Sequence, residues 1–311
     1  MSLAFVFPGQ GSQSVGMSSA LAENYPLVKD IYADASSVLG YDLWQLVNDG
    51  PESDLNITEK TQPALLTASV AIWEVWQGQG GATPKIMAGH SLGEYSALVC
   101  SGALSFTDAV ALVADRGAYM QSAVPEGTGT MAAILGLAEE QVVTICKENA
   151  QGQVVSAANF NSSGQVVIAG HIDAVKRAVE AASKAGAKRS IILPVSVPSH
   201  CALMQDAATQ FAERIKNINL SVPEIPVIQN VDVTQKTDPD AIKQALVEQL
   251  YKPVRWVEII QSMADSGITK TIECGPGKVL CGLIKRIDRE IETWPVFDPE
   301  SLDKAKAAVS D

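Results

Sequence analysis

The sequence predicts an α/β protein: a larger unit built on a mainly parallel sheet, with a small β-α-β-β-α-β unit inserted into it. Two observations carry this expectation. Short apolar runs stop at Gly-rich turns and are followed by amphipathic stretches, the alternation that covers a parallel sheet on both faces. Between residues 125 and 197 the rhythm changes to strand, helix, two strands, helix, strand, which is the ferredoxin-like order. A length of 311 residues with 47% hydrophobic content is enough for one large domain with an insertion, or for two domains. The expected division is 1–124 with 198–311 for the larger unit and 125–197 for the smaller.

The elements read as follows. Leu3 to Phe7 is an apolar run ended by Pro8-Gly9-Gln10-Gly11, a buried strand entering a Gly-rich turn. Helical patterns cover Ser19 to Ala22 and Pro26 to Leu39. Gln62-Pro63 opens a helix from Ala64 to Trp76, apolar on most faces and therefore buried. Lys85 to Ala88 is a strand that turns through Gly89-His90-Ser91-Leu92-Gly93 into a helix from Glu94 to Cys100. The next helix runs from Phe106 to Gln121. In the insertion, strands are expected at Thr130 to Leu135, Val154 to Ala158, Gln165 to Ala169 and Arg189 to Val195. Asn161-Ser162-Ser163-Gly164 joins the middle pair, and helices cover Ala138 to Ala150 and Ile172 to Ala185. After Pro198 come a helix (Ala202 to Ile218), a strand (Val227 to Val231), a helix (Asp240 to Leu250) and a strand (Thr271 to Cys274) ending in Gly275-Pro276-Gly277-Lys278. Beyond Thr293 the tail has no pattern and is expected to fray.

Composition excludes several classes. Lys and Arg number 23 against 35 Asp and Glu, a net charge of −12. An acidic surface repels phosphate backbones, so neither nucleic acid nor an anionic membrane is the expected partner. Five cysteines, at positions 100, 146, 201, 274 and 281, form no CxxC pair and read as reduced thiols in a cytoplasmic protein. The first residues carry no basic n-region, and Pro8-Gly9 cut the first apolar run short of a signal segment. No apolar run reaches the ~18 residues of a spanning helix. No His/Cys/Asp cluster has metal-ligand spacing, so no metal is expected.

Gly89-His90-Ser91-Leu92-Gly93 fits G-x-S-x-G. A strand before it, a helix after it and glycines at both flanks suit the sharp turn that lifts a nucleophilic serine off a sheet edge. The alternative is an ordinary turn with Ser91 as a helix N-cap. A serine needs a base, and the chain has three histidines. His90 adjoins Ser91 and would point away from it, and His171 sits at a strand-to-helix boundary. Elimination leaves His200, in an apolar setting where the chain re-enters the larger unit; a bland buried histidine is the other reading. Arg116 falls inside the apolar stripe of its helix, with Ala109, Leu112, Val113 and Met120, while Asp108 and Asp115 face the other way. A core-facing guanidinium requires an anion: a distant carboxylate of the chain, or a substrate. Phe7-Pro8-Gly9-Gln10-Gly11-Ser12-Gln13 lacks the third glycine of a dinucleotide fingerprint, and no Walker A string occurs. A plain turn and an oxyanion-stabilising backbone both remain open for it.

These motifs, with Arg116-Gly117, Pro198-Ser199-His200, Gln249 near Asn230-Val231 and Gly275-Pro276-Gly277-Lys278, occur in an order and spacing that closely resemble the bacterial malonyl-CoA:acyl-carrier-protein transacylases of type II fatty-acid synthesis, over roughly residues 1–290. The resemblance implies an α/β-hydrolase-like larger subdomain with a ferredoxin-like insertion. It implies Ser91 as nucleophile, His200 as base, the amides of Gln10 and Leu92 as oxyanion hole and Arg116 as carboxylate ligand. The main-chain carbonyl of Gln249, not an acid, would orient the histidine. Malonyl-CoA and an acidic acyl carrier protein are the implied substrates, with no cofactor. Because the chain is itself acidic, carrier docking requires a local basic patch. Lys188, Arg189, Lys278, Lys285, Arg286 and Arg289 are the candidates, and a solvated charged face is the alternative for them. Ser199, next to the histidine, stands where a malonyl-selective pair varies in the wider acyltransferase family. A serine hydrolase shares the elbow and the histidine and would discharge to water. A non-catalytic binding module would need neither hydroxyl nor imidazole.

Overall fold

The computed structural model describes residues 2–195 and 197–309. Met1, Ser196, Ser310 and Asp311, at or beside the expected unit boundaries, lie outside the described residues. The chain opens with β1 (Leu3–Phe7), α1 (Ser19–Asn24), α2 (Leu27–Leu39), α3 (Leu43–Asp49), α4 (Glu52–Leu55) and α5 (Thr58–Gly78). Then come β2 (Ile86–Gly89), α6 (Gly93–Cys100) and α7 (Phe106–Ser122). β3 (Gly129–Leu135), α8 (Glu139–Asn149), β4 (Val155–Ser162), β5 (Gln165–His171), α9 (Ile172–Lys184) and β6 (Arg189–Ile192) follow in the expected β-α-β-β-α-β order. A 3₁₀ turn (Ala202–Met204) leads to α10 (Gln205–Ile215), β7 (Val227–Ile228), α11 (Pro239–Gln249) and α12 (Trp256–Asp265). β8 (Lys270–Cys274), α13 (Val279–Ile287), β9 (Glu292–Val296) and α14 (Pro299–Val309) complete it.

Two sheets result. One is five-stranded in the order β7-β2-β1-β8-β9, with its pairs parallel. The other is four-stranded in the order β4-β5-β3-β6, with its pairs antiparallel. β1 lies at the centre of the parallel sheet, which is why its five residues are all apolar and all buried. Alternation sends Leu3, Phe5 and Phe7 into one core with α2, α5 and α7. Ala4 and Val6 face the second core, with Trp256 and Ile260 of α12 and Leu283 of α13. Phe5 meets Trp73 and Trp76 edge-on at 5.2 and 5.3 Å, the aromatic geometry that adds roughly 0.5–1.5 kcal/mol per pair beyond burial. On the antiparallel sheet, Ala132, Ile134, Val166 and Ile168 pack under α8 and α9. The opposite face buries Met131, Ala133, Ala158 and Val167 against Cys201, the residue after His200. β4 is tied to the segment before α12 by Phe160 N to Val254 O and Val254 N to Ala158 O, both 2.9 Å. Among the described residues no helix is long and apolar enough to cross a membrane.

Several local expectations are corrected. Residues 293–309 do not fray: β9 pairs with β8, and Leu302, Ala305 and Val309 bury one face of α14 in the main core. Pro295 is tolerated because β9 is an edge strand. Helix α5 begins at Thr58 and keeps Pro63 inside it. Burial of Thr58, Thr61 and Gln62 holds the extra turn despite the lost hydrogen bond. Short α3 and α4, and the helices α12 and α13, were not expected; contacts with the sheet rather than local caps define the latter two. β4 continues to Ser162, so Asn161 is a strand residue, whereas β7 stops at Ile228. Residues 202–218 divide into a 3₁₀ turn and α10, and β6 ends at Ile192.

Candidate active site

The turn from β2 into α6 is a strained elbow. Ser91 has φ 52°, in the left-handed region where a non-glycine residue needs outside support. Asn230 supplies it from just beyond β7. Its Oδ1 accepts from Ser91 N at 2.8 Å and its Nδ2 donates to Gly89 O at 2.7 Å. A side chain at Gly89 has no room, because a Cβ there would fall on the main chain of Gly93 and Glu94. Gly89→Ala is therefore expected to destabilise the fold by about 3 kcal/mol or more, read as a lowered midpoint in thermal or urea unfolding.

His200 enters from the strand-to-helix return and is also held at positive φ, 60°. It is 3% exposed. Its Nε2 lies 2.8 Å from Ser91 Oγ and its Nδ1 2.7 Å from the main-chain oxygen of Gln249. A carbonyl can only accept, so Nδ1 carries the proton and Nε2 faces the hydroxyl bare. Burial first, and the Arg116 charge second, pull the His200 pKa down to about 3. The imidazole is thus a neutral acceptor at pH 7. A base of this kind fails when protonated, so activity is lost on the acid side only as pH falls through the depressed value. The acid limb assigned to His200 in kcat/KM is expected at least about one unit below the ordinary imidazole value; a limb at the ordinary value would contradict it.

Arg116 is fully buried on α7. Its Nη1 donates to Gln62 Oε1 at 2.7 Å and its Nη2 to Gln249 Oε1 at 2.9 Å. Nη2 also stands 3.5 Å from Ser91 Oγ, and the guanidinium carbon lies 5.4 Å from the Tyr95 ring centre. Gly117 lets α7 approach α5 closely, for a Cβ there would meet the main chain of Glu59. The neighbouring Asp115 pairs outward with Arg214 at 2.6 Å. Among the described residues, Arg116 hydrogen-bonds to neutral acceptors and to no carboxylate, which leaves a guanidinium beside the serine able to take an anion.

The remaining candidates fall in two places. Leu92 is buried at the start of α6, directly after Ser91, and Gln10 stands in the turn after β1, where its side chain reaches Thr58 Oγ1 at 3.4 Å. Among the described residues the elbow's own main-chain bonds start from Gly93, Glu94 and Tyr95 and leave the Leu92 amide aside. Lys188, Arg189, Lys278, Lys285, Arg286 and Arg289 are exposed. Arg189 pairs with Leu135, Leu135 with Gln165, and Arg286 donates to Gln165 Oε1 at 2.9 Å. Lys188, Arg189 and Arg286 therefore lie at one end of the antiparallel sheet, while Lys285 and Arg289 stand with Thr293 and Trp294 of β9. Asn161, near that end on β4, bonds His90 Nε2 at 2.8 Å. His90 thus faces away from Ser91, packed edge-on to Trp256, and His171 accepts from Val154 N at 2.9 Å. Sequence reasoning gave no site role to Gln62, Glu94, Asn161 or Asn230, although Asn230 stands in one of the motifs that carry the resemblance. Glu94 carried a legible signal, since it is the one charged residue of α6.

A strand-turn-helix serine, a histidine 2.8 Å from its hydroxyl and a buried guanidinium 3.5 Å from the same oxygen make up the candidate site of an acyltransferase. The chain belongs to the acyl transferase domain family, whose model matches residues 4–296. It is 58% identical over 302 residues to a malonyl CoA-acyl carrier protein transacylase of Salmonella typhimurium, covering 97% of this chain and 98% of that protein. The structure of a malonyl CoA-acyl carrier protein transacylase from Coxiella burnetii superposes with a TM-score of 0.99 at 52% identity, over 100% of this chain and 98% of that one. A malonyl-transacylase solved in complex with its type II PKS acyl-carrier protein gives 0.97 at 55% identity, over 98% and 99% of the two chains.

Proposed function

We propose that the protein transfers malonyl from malonyl-CoA to the phosphopantetheine thiol of an acyl carrier protein, through a malonyl ester on Ser91, and so supplies fatty-acid elongation. The observation that carries the reading is the buried Arg116, bonded to two neutral amides and 3.5 Å from Ser91 Oγ. His200 Nε2 takes the Ser91 proton as Oγ attacks the thioester carbonyl. The amides of Gln10 and Leu92 receive the developing oxyanion, a role in which losing one donor costs ~10²–10³ in rate. The C–S bond breaks and the CoA sulfur leaves with the proton from His200. In the second half-reaction His200 takes the proton of the carrier thiol, the thiolate attacks the ester, and Ser91 Oγ leaves reprotonated. Thioester and ester exchange one acyl group, so the scheme calls on no cofactor or metal. The malonyl carboxylate sits on Arg116, and in neutralising that charge it removes one of the causes that depress His200. Gln249 holds the imidazole through its main chain.

The strand order β4-β5-β3-β6 supports a ferredoxin-like smaller subdomain over 125–197. The elbow at the carboxyl end of a parallel strand supports an α/β-hydrolase-like larger one over 1–124 and 198–311. We place the protein in the cytoplasm, with no membrane or nucleic-acid partner. Lys188, Arg189, Lys285 and Arg286 receive the acidic carrier protein or CoA. The test is discharge of the acyl-enzyme: with malonyl-CoA alone a hydrolase releases malonate rapidly, whereas a transferase holds the ester until carrier protein is added. Reversing Lys285 and Arg286 to Glu should raise the KM for carrier protein about tenfold, and a matching rise in the KM for malonyl-CoA assigns the same residues to CoA. An unchanged KM removes the patch from the scheme.

A further inference from the structure

Glu94 has no place in the scheme above, yet it is fully buried one turn from the nucleophile. Its Oε2 accepts two hydrogen bonds, from Gln249 Nε2 at 2.7 Å and from Asn230 N at 3.1 Å. Its Oε1 has no partner among the described residues. The two donors belong to the residues that shape the site. Asn230 grips the main chain on both sides of the elbow through Ser91 N and Gly89 O. Gln249 presents its main-chain oxygen to His200 Nδ1 and its side-chain oxygen to Arg116 Nη2, and its Nε2 also donates to Ser91 O at 3.0 Å.

An amide side chain can be turned by half a rotation, exchanging its oxygen and nitrogen. Arg116 requires the Gln249 oxygen, because a guanidinium has nothing to offer an NH₂ group. Glu94 Oε2 and Ser91 O, both acceptors, require the nitrogen on the other side. Building on the transfer reading, we propose that Glu94 is a positioning residue: its Oε2 locks the Gln249 amide and the Asn230 main chain in one arrangement, so that imidazole, elbow and guanidinium are aligned together.

Burial pushes the Glu94 carboxyl up to about 7, and both bonds converge on a single oxygen. The role is therefore that of an acceptor atom, which a glutamine oxygen can also supply. This separates Glu94 from a structural ion-pair partner of Arg116.

The experiment compares Glu94→Ala, Glu94→Gln and Glu94→Asp with the parent. It measures single-turnover acylation of Ser91 by malonyl-CoA and by acetyl-CoA, with unfolding midpoints taken in parallel. Glu94→Ala is expected to lose about 10²-fold with malonyl-CoA, the cost of misplacing reacting groups by about 1 Å. It is expected to lose about tenfold less with acetyl-CoA, which feels His200 and the elbow but not Arg116. Glu94→Gln should recover all but a few-fold of the loss. Should Glu94→Ala not fold, Glu94→Asp, whose oxygen is drawn back by one methylene, decides by the same fall in the malonyl-to-acetyl ratio. A folded Ala variant within about threefold of the parent overturns the proposal. So does a Gln variant no better than Ala, or an equal loss on both substrates. If the parent itself forms no malonyl ester, the transfer reading has failed instead, and the two failures are distinguishable.

Discussion

Ser91→Ala is expected to form no acyl-enzyme and to lose about 10⁴-fold or more in transfer rate, the scale seen when a catalytic unit loses its nucleophile. The argument is chemical. An alkyl hydroxyl at neutral pH reaches a thioester carbonyl only if its proton is removed during attack. Nε2 of His200, 2.8 Å from Oγ, is the acceptor the structure provides. His200→Ala should fall nearly as far, and the double variant little further, because the two groups act as one unit. Both rates are followed as malonyl appearing on the carrier protein. Their unfolding midpoints should stay within a few degrees of the parent, since neither side chain spans the core.

Arg116→Ala is expected to lose about 10²- to 10³-fold in malonyl transfer, the scale of deleting one partner of a buried charged hydrogen-bonded pair. With acetyl-CoA, which has no carboxylate, the loss should be tenfold or less. Among the described residues the buried guanidinium has no carboxylate hydrogen-bond partner, which is why the proposed scheme gives it the substrate anion. Arg116→Lys should not restore the parent rate, because an ammonium cannot hold Gln62 and Gln249 and still offer a fork to a carboxylate. Equal losses on malonyl-CoA and acetyl-CoA would contradict the carboxylate role.

The sequence disclosed what periodicity and turn chemistry encode. β1, with its apolar run, and β2, running into G-x-S-x-G, lie where the pattern predicts, and so does the β-α-β-β-α-β order. Arg116 was legible as a polar residue inside an apolar stripe, and it is buried as that stripe requires. Other features were not local. The bond from His200 to Gln249 is made by the main chain, which has no residue-type signature. Asn230 and Gln249 both donate to Glu94, across 136 and 155 residues of sequence, and only the tertiary fold brings them together. The last helix was hidden for a similar reason: three small or branched residues, Leu302, Ala305 and Val309, bury it against the rest of the main core, a contribution that a propensity scale does not register.

The most direct test of the central claim is intact-protein mass spectrometry after brief mixing with malonyl-CoA, followed by peptide mapping. One added malonyl group is expected, mapped to Ser91, stable in buffer, absent from Ser91→Ala and discharged on adding holo carrier protein. No adduct on the parent chain, or the same adduct on Ser91→Ala, would contradict the account.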